Sequence, residues 1–110
     1  SDILIYRLVY NLVENAIKYN HTGGQVTVTA DRKEKQVHLS VADTGNGIPE
    51  ELRERVFEPF FRVDKSRSRA LGGVGLGLAL VREIVRVHDG SITVRSNPSG
   101  GTIFEVMFTQ

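Results

Sequence analysis

Asn11-Leu12-Val13-Glu14-Asn15-Ala16-Ile17-Lys18-Tyr19 is the stretch on which the fold turns. It closes a run in which Leu4, Ile5, Leu8, Val9, Leu12, Val13, Ala16 and Ile17 recur at helical spacing. Ser1 and Asp2 stand ahead of that run as N-cap residues, so a helix is predicted from about Ile3 to Tyr19. At about 100° per residue, Asn11, Asn15 and Lys18 fall within about 60° of one another and flank the apolar stripe. Asparagine suits a helix interior poorly, because its side chain competes for backbone hydrogen bonds. Two of them one turn apart form either a hydrogen-bonded helix edge or a pair of neutral amide oxygens. Such oxygens are hard ligands of the kind Mg²⁺ takes when it holds phosphates.

The chain after this helix is punctuated clearly. Asn20-His21-Thr22-Gly23-Gly24 is turn chemistry. Gln25 to Ala30 alternates with Val26 and Val28 on one face, which predicts a strand. Asp31 to Lys35 is short and charged and reads as a hairpin turn. Val37, Leu39 and Val41 alternate again, giving a second strand that ends near Ala42. Pro49-Glu50-Glu51 opens a short helix, with proline and acids in its first turn. Phe57 to Gly75 has no clean period and reads as a long loop, and loops beyond about 12–15 residues in compact domains are usually functional or disordered. Leu76 to Val87 is helical, with Leu78, Val81, Ile84 and Val85 on one face. Ile92-Thr93-Val94 and Ile103 to Phe108 are strands joined by a turn at Asn97-Pro98-Ser99-Gly100-Gly101. The expected fold is α+β: a two-layer sandwich of a mixed, mostly antiparallel sheet with about three helices on one face.

Composition sets outer limits. The 110 residues fit one domain, so residues 1–110 are read as a single unit. Apolar residues make up 40%, enough for a core, and charged residues 25%. A net charge of +1 gives no bulk attraction to nucleic acid or anionic membrane. With no cysteine, disulfides and thiolate metal sites are excluded. No apolar run nears the roughly 18 residues of a membrane span.

Three further constellations carry chemistry. In Asp43-Thr44-Gly45-Asn46-Gly47-Ile48-Pro49 a carboxylate ends a strand, where it can accept a hydrogen bond from an exocyclic amine, and the glycines let a flat ring approach the backbone. The same residues also fit an ordinary Asp-initiated turn. Gly72-Gly73-Val74-Gly75-Leu76-Gly77 opens a helix, where free N–H groups beside the positive dipole end can cradle phosphate. It lacks both the dinucleotide spacing G-x-G-x-x-G and the P-loop Gly-Lys-Ser/Thr. Between Arg62 and Arg69, four basic residues face one acid, a composition that suits either solvation or a phosphate clamp. Phe57, Phe60 and Phe61 are expected to anchor this loop on the core.

In order, Asn-x₃-Asn on a helix, Asp-x-Gly-x-Gly, an aromatic-basic loop and a glycine-rich helix start closely resemble the histidine-kinase branch of the Bergerat-type ATPases. The resemblance rests on residues 11–19, 43–49, 57–64, 73–78 and Gly100-Gly101-Thr102, nearly the whole chain. It implies the catalytic and ATP-binding domain of a two-component sensor histidine kinase, with ATP and Mg²⁺ as cofactors. Asn15 then resembles the Mg²⁺ ligand, and Asn11, Lys18 and Tyr19 resemble helix contacts to phosphates, ribose and nucleotide edge. Asp43 resembles the residue that receives the adenine amino group, with Gly45 and Gly47 lining the adenine pocket and Thr102 supporting Asp43. Arg62, with Lys65, Arg67 or Arg69, resembles lid residues that reach the phosphates. Gly73, Gly75 and Gly77 resemble the phosphate loop, and Ile48, Val74, Leu76 and Leu78 join the ATP-binding set. Two departures stand out. The family has a short strand before the first helix, whereas this sequence opens on the helix, so an edge strand is expected to be missing. His88-Asp89-Gly90 replaces the family's His-Gly-Gly turn, with little consequence expected.

Hydrolytic members of the superfamily carry a glutamate one turn before the Mg²⁺ asparagine as general base. Here that position is Asn11, and Glu14 is expected to point away from Asn11 and Asn15. The resemblance therefore implies a site that holds ATP for transfer, with the acceptor histidine on a separate dimerisation domain. His21, His38 and His88 lack an acceptor's surroundings, so no self-phosphorylation by this domain alone is expected. It further implies a monomeric cytoplasmic domain of a membrane-anchored parent, an indirect response-regulator partner, and absent phosphoacceptor and sensor domains. Two other readings are a degenerate docking module and an anti-sigma-factor-type serine kinase. The intact Asn15, Asp43 and glycines oppose the first. The missing glutamate and the Phe60 to Asp64 stretch oppose the second.

Overall fold

The computed structural model describes residues 2–63 and 75–109. Helix α1 (Asp2–Lys18) is followed by strands β1 (Val26–Lys33) and β2 (Gln36–Asp43). Two short 3₁₀ turns, Glu50–Leu52 and Arg55–Phe57, come next. Helix α2 (Gly77–Val87) and strands β3 (Ser91–Ser96) and β4 (Thr102–Thr109) complete the order. The sheet runs β1-β2-β4-β3, and every pairing among the described residues is antiparallel. The α+β sandwich is as predicted, although the expected short third helix is a pair of 3₁₀ turns and no parallel pairing is found among the described residues.

One sheet face is apolar because the strands alternate in phase. Val41 opposes Val28 on one side and Phe104 on the other, and Leu39 opposes Ala30 and Val106. On this face α1 buries Leu8, Leu12 and Ala16, and α2 buries Val81, Ile84 and Val85. Phe57 closes the layer with its ring edge-on to Phe104 at 6.2 Å. The opposite face carries His38, Thr27, Thr29 and Thr93, which are exposed. β1 has β2 as its one partner among the described residues.

Two local features differ from the sequence reading. The β1–β2 hairpin is tighter than Asp31 to Lys35, because the ladder continues to Lys33↔Gln36 and leaves only Glu34 and Lys35 in the turn. A ladder needs backbone partners, not apolar side chains, so the charged residues are zipped into it. Asp89 is the second feature. It follows α2 with φ of 54°, in the left-handed region. Its N–H donates to Arg86 O, and the Gly90 N–H donates to Val85 O at 2.9 Å, which together make a Schellman cap. The left-handed position of that cap favours glycine, so aspartate in the place of the family's glycine does carry a conformational cost. Gly90 is needed for a different reason: a Cβ there would lie 2.5 Å from the Met107 carbonyl.

Candidate nucleotide site

The antiparallel register brings Asp43, the last residue of β2, beside Thr102, the first of β4. Asp43 is 6% exposed. Its Oδ1 accepts the Gly45 N–H at 2.9 Å and the Thr102 N–H at 3.2 Å. Its main-chain carbonyl accepts from Asn97 Nδ2 at 2.8 Å. Oδ2 has no hydrogen-bond partner among the described residues, and Asp43 lines a cleft of about 390 Å³. The carboxylate is thus held by one oxygen and offers the other. Thr102 contacts Asp43 directly, through its backbone N–H.

Glycines make this arrangement possible. Gly101, with φ of 90°, packs so closely that a Cβ would lie 2.6 Å from Asp43 Oδ1. A Cβ at Gly45 would collide with the Tyr19 carbonyl. Gly45 is not among the residues that line the cleft, where the sequence placed it beside Gly47, and it packs instead against the Tyr19 carbonyl, whereas Gly47, Ile48 and Pro49 form one wall.

The cleft also takes in Asn15, Tyr19, Asn46, Val56, Phe61, Arg62, Val63, Leu78, Thr102 and Phe104. A second cleft of about 260 Å³ shares Asn15, Tyr19, Val56, Phe61, Arg62 and Leu78 with the first. It extends past Asn11, Lys18, Gly75, Leu76 and Gly77 to the N-terminal end of α2. An apolar-walled, carboxylate-ended cleft therefore joins one bounded by a helix start, whose free N–H groups and dipole favour an anion.

Most residues singled out in the sequence converge here. The two asparagines differ in state. Asn11 donates its amide back to Arg7 O at 2.8 Å, a helix-edge bond. The Asn15 amide has no hydrogen-bond partner among the described residues, is half-buried, and faces both clefts. Lys65, Arg67, Arg69, Gly73 and Val74 lie outside the described residues. Among the aromatics, Phe57 is buried as an anchor, and Phe61 forms a wall with the Arg55 guanidinium 4.6 Å above its ring. Phe60 does not anchor anything: it is 67% exposed, and its N–H donates to Gly75 O at 2.8 Å.

Glu14 stands at the rim of the second cleft, closer to the site than the helical wheel suggested. It also hydrogen-bonds Tyr10, one turn earlier, and that bond and its charge push the Tyr10 phenol above its ordinary pKa. Of the histidines, His88 sets Nδ1 2.8 Å from Ile84 O as part of the α2 cap, while His21 and His38 are exposed. Asn46, Pro49 and Val63 lie in stretches that carried the resemblance but had no role of their own there, and the walls Val56 and Phe104 were missed, together with Asn97. Hydrophobic alternation placed Phe104 in the core, and nothing local marked the others as site residues.

Comparison with known proteins identifies the family. The model of the histidine kinase-, DNA gyrase B- and HSP90-like ATPases matches residues 1–110. The chain belongs to this ATPase family. Its relatives place the domain on the sensor-kinase branch. It is 48% identical over 104 residues to the sensor-like histidine kinase SenX3 of Mycobacterium tuberculosis, covering 94% of this chain and 25% of that protein. Among solved structures, the mycobacterial sensor histidine kinase MprB superposes with a TM-score of 0.85 at 32% identity, covering 99% of this chain and 72% of that one. Full-length ShkA in complex with AMPPNP gives 0.80 at 31%, covering 96% and 21%. The domain is thus a histidine-kinase-type ATPase domain, and it spans about a quarter of the length of the curated relatives it matches. No helix among the described residues is long and apolar enough to cross a membrane.

Proposed function

We propose that this domain binds Mg²⁺-ATP across the two joined clefts and presents the γ-phosphoryl group to a histidine on a separate dimerisation domain of a two-component sensor kinase. The observation that carries the reading is the half-used Asp43 carboxylate at the end of an apolar cleft. Oδ1 is occupied by two backbone donors, so Oδ2 is fixed in direction and can accept from an adenine amino group. Guanine presents a carbonyl oxygen at the equivalent position, and a buried carboxylate repels it.

The chain's own residues divide the remaining work. Ile48 and Phe61 supply apolar surface for a ring, and Tyr19 reaches both clefts. The amides of Gly75 and Gly77 and the start of α2 favour phosphate oxygens. Lys18, Asn11 and Arg62 add donors at the same end. The half-buried amide of Asn15 fits Mg²⁺, which takes few protein ligands and keeps its waters and phosphates. When bound, the ion neutralises charge on the phosphates. Lys65, Arg67, Gly73 and Val74 complete the phosphate-binding set by resemblance.

No glutamate occupies the Asn11 position, so the domain has no side chain there to activate water. Positioning and charge neutralisation suffice for phosphoryl transfer once an external nucleophile arrives. His38 lies on the opposite sheet face, His88 is committed to a helix cap, and His21 is exposed in the turn after α1. The acceptor is therefore supplied by another domain, and a response regulator receives the phosphoryl group downstream. By the same reading the isolated domain is monomeric and its parent membrane-anchored.

The test is incubation with γ-labelled ATP, alone and with a separately purified histidine-bearing dimerisation domain. Label should appear only on the added domain, in an acid-labile, base-stable bond. Label retained on this chain alone would contradict the proposal.

A further inference from the structure

Asp43 is held at the strand-end side of the Asp43–Pro49 loop by the Gly45, Thr102 and Asn97 donors, and Pro49 O accepts the Leu52 N–H at 2.9 Å, but the Gly47–Ile48 step between them has one hydrogen bond among the described residues. Asn46 N–H reaches Tyr19 O at 3.4 Å, and then the backbone turns through Gly47 with φ of 74°. Beyond it, Ile48 O accepts from Arg53 Nε at 3.4 Å. The same guanidinium donates from Nη2 to Ser96 Oγ at 2.6 Å, 43 residues further along the chain. Among the described residues no other hydrogen bond reaches Gly47 or Ile48. Arg53 lines neither cleft. Its planar fork spans two partners at fixed directions, which a lysine ammonium on a flexible stem does not reproduce.

We infer that Arg53 is a positioning residue for the nucleotide. By bolting the Ile48 carbonyl to the end of β3, it holds the Gly47–Ile48 wall at a fixed distance from Asp43, so that the ring-binding slot exists before ligand arrives. The same strand end continues into Asn97, whose amide holds the Asp43 carbonyl. Both walls of the slot are therefore referenced to one place, Ser96-Asn97. The inference rests on the proposed adenine-nucleotide binding and extends it to a residue outside the cleft. Loss of such preorganisation weakens binding at the ring end and leaves the phosphate end alone.

The experiment is calorimetric titration of Mg²⁺-ATP, ADP and inorganic tripolyphosphate into wild type, Arg53→Ala, Arg53→Lys, Ser96→Ala and the Arg53→Ala/Ser96→Ala double variant. Each alanine variant should weaken ATP and ADP by about 3- to 10-fold. The double variant should be no weaker than Arg53→Ala, because both remove one bridge. Tripolyphosphate should bind all of them equally, and Arg53→Lys should recover only part of the loss. If Arg53→Ala fails to fold, Ser96→Ala decides alone, since it deletes one exposed hydroxyl. Unchanged ATP affinity in Ser96→Ala and in any folded Arg53→Ala, or equal losses for tripolyphosphate, would overturn the inference while leaving the nucleotide reading intact. Wild type that binds no adenine nucleotide would overturn both.

Discussion

Asp43 and Thr102, 59 residues apart in the chain, meet as carboxylate and backbone donor at 3.2 Å, and that contact is where the sheet becomes a binding site. β2 ends and β4 begins at this point, so sheet pairing itself aims the carboxylate. The buried Oδ1 takes two backbone N–H groups, and the second oxygen is left for the cleft.

Replacing Asp43 by Asn separates binding from folding. An asparagine oxygen can still accept from Gly45 and Thr102, but its amide turns a donor toward the cleft. We expect ATP affinity to fall by roughly 10- to 150-fold, as for loss of a hydrogen bond to a charged group. Thermal stability should change much less. Asp43→Ala is the cruder variant, because it strands the buried Thr102 donor, at a cost of about 1–3 kcal/mol, and the half-buried Gly45 donor as well. An Asp43→Asn protein with wild-type ATP affinity would remove Asp43 from the site.

Gly100 and Gly101 form a controlled pair. Both have φ near 90°, so alanine is strained at each. A Cβ at Gly100 meets nothing within 4 Å, whereas one at Gly101 collides with the Asp43 carbonyl. Gly100→Ala should cost about 1 kcal/mol of stability and leave ATP affinity nearly intact. Gly101→Ala should cost more and also abolish nucleotide binding, because it displaces Asp43. Thermal unfolding and titration of the two variants side by side check this.

The α2 cap predicts a stabilised variant. Asp89 occupies the left-handed cap position at φ of 54°. Asp89→Gly should stabilise the domain by about 0.5–1 kcal/mol, raising Tm by about 2–8 °C. Gly90→Ala, next to it, should do the reverse, because its Cβ would sit 2.5 Å from the Met107 carbonyl.

Tyr10 offers a pH signature on the exposed side of α1. The Glu14 hydrogen bond, followed by the Glu14 charge, pushes its phenol above the ordinary value of 10.0. The group's folded pKa is raised above its unfolded one, so any stabilisation is fully present below the unfolded value and is lost as pH rises through the folded one. Glu14→Gln should bring the Tyr10 titration back down, followed by ring-carbon NMR shifts between neutral and strongly alkaline pH. An unchanged Tyr10 titration in that variant would rule out the Glu14 contact.

The parts of this molecule that were legible in the sequence are those written locally. Leu8, Leu12 and Ala16 announce α1 by their period, and Val37, Leu39 and Val41 announce β2 by theirs. Asn15, Asp43 and Gly75 to Leu78 stood out because their residue types are odd for a helix interior, a strand end and a helix start. Arg53, Asn97 and Phe61 were not legible as a group, because their roles depend on contacts with no local pattern: Arg53 meets Ser96 and Asn97 meets Asp43 only once the sheet has closed. The hairpin was read too long because charged residues in Asp31–Lys33 look like a turn while the backbone ladder simply runs on. Asp89 stood out as a departure but its cost did not, because strain is a property of φ, which residue type alone does not reveal.

An adenine-specific nucleotide site across the two clefts would discriminate between nucleotides in a calorimetric comparison. Mg²⁺-ATP and Mg²⁺-GTP are titrated into wild type, Asp43→Asn and Asn15→Ala. Wild type should bind ATP and not GTP, Asp43→Asn should bind ATP roughly 10- to 150-fold more weakly, and ATP binding by Asn15→Ala should no longer depend on Mg²⁺. Folded wild-type domain that binds neither nucleotide, or that binds both equally, would contradict it.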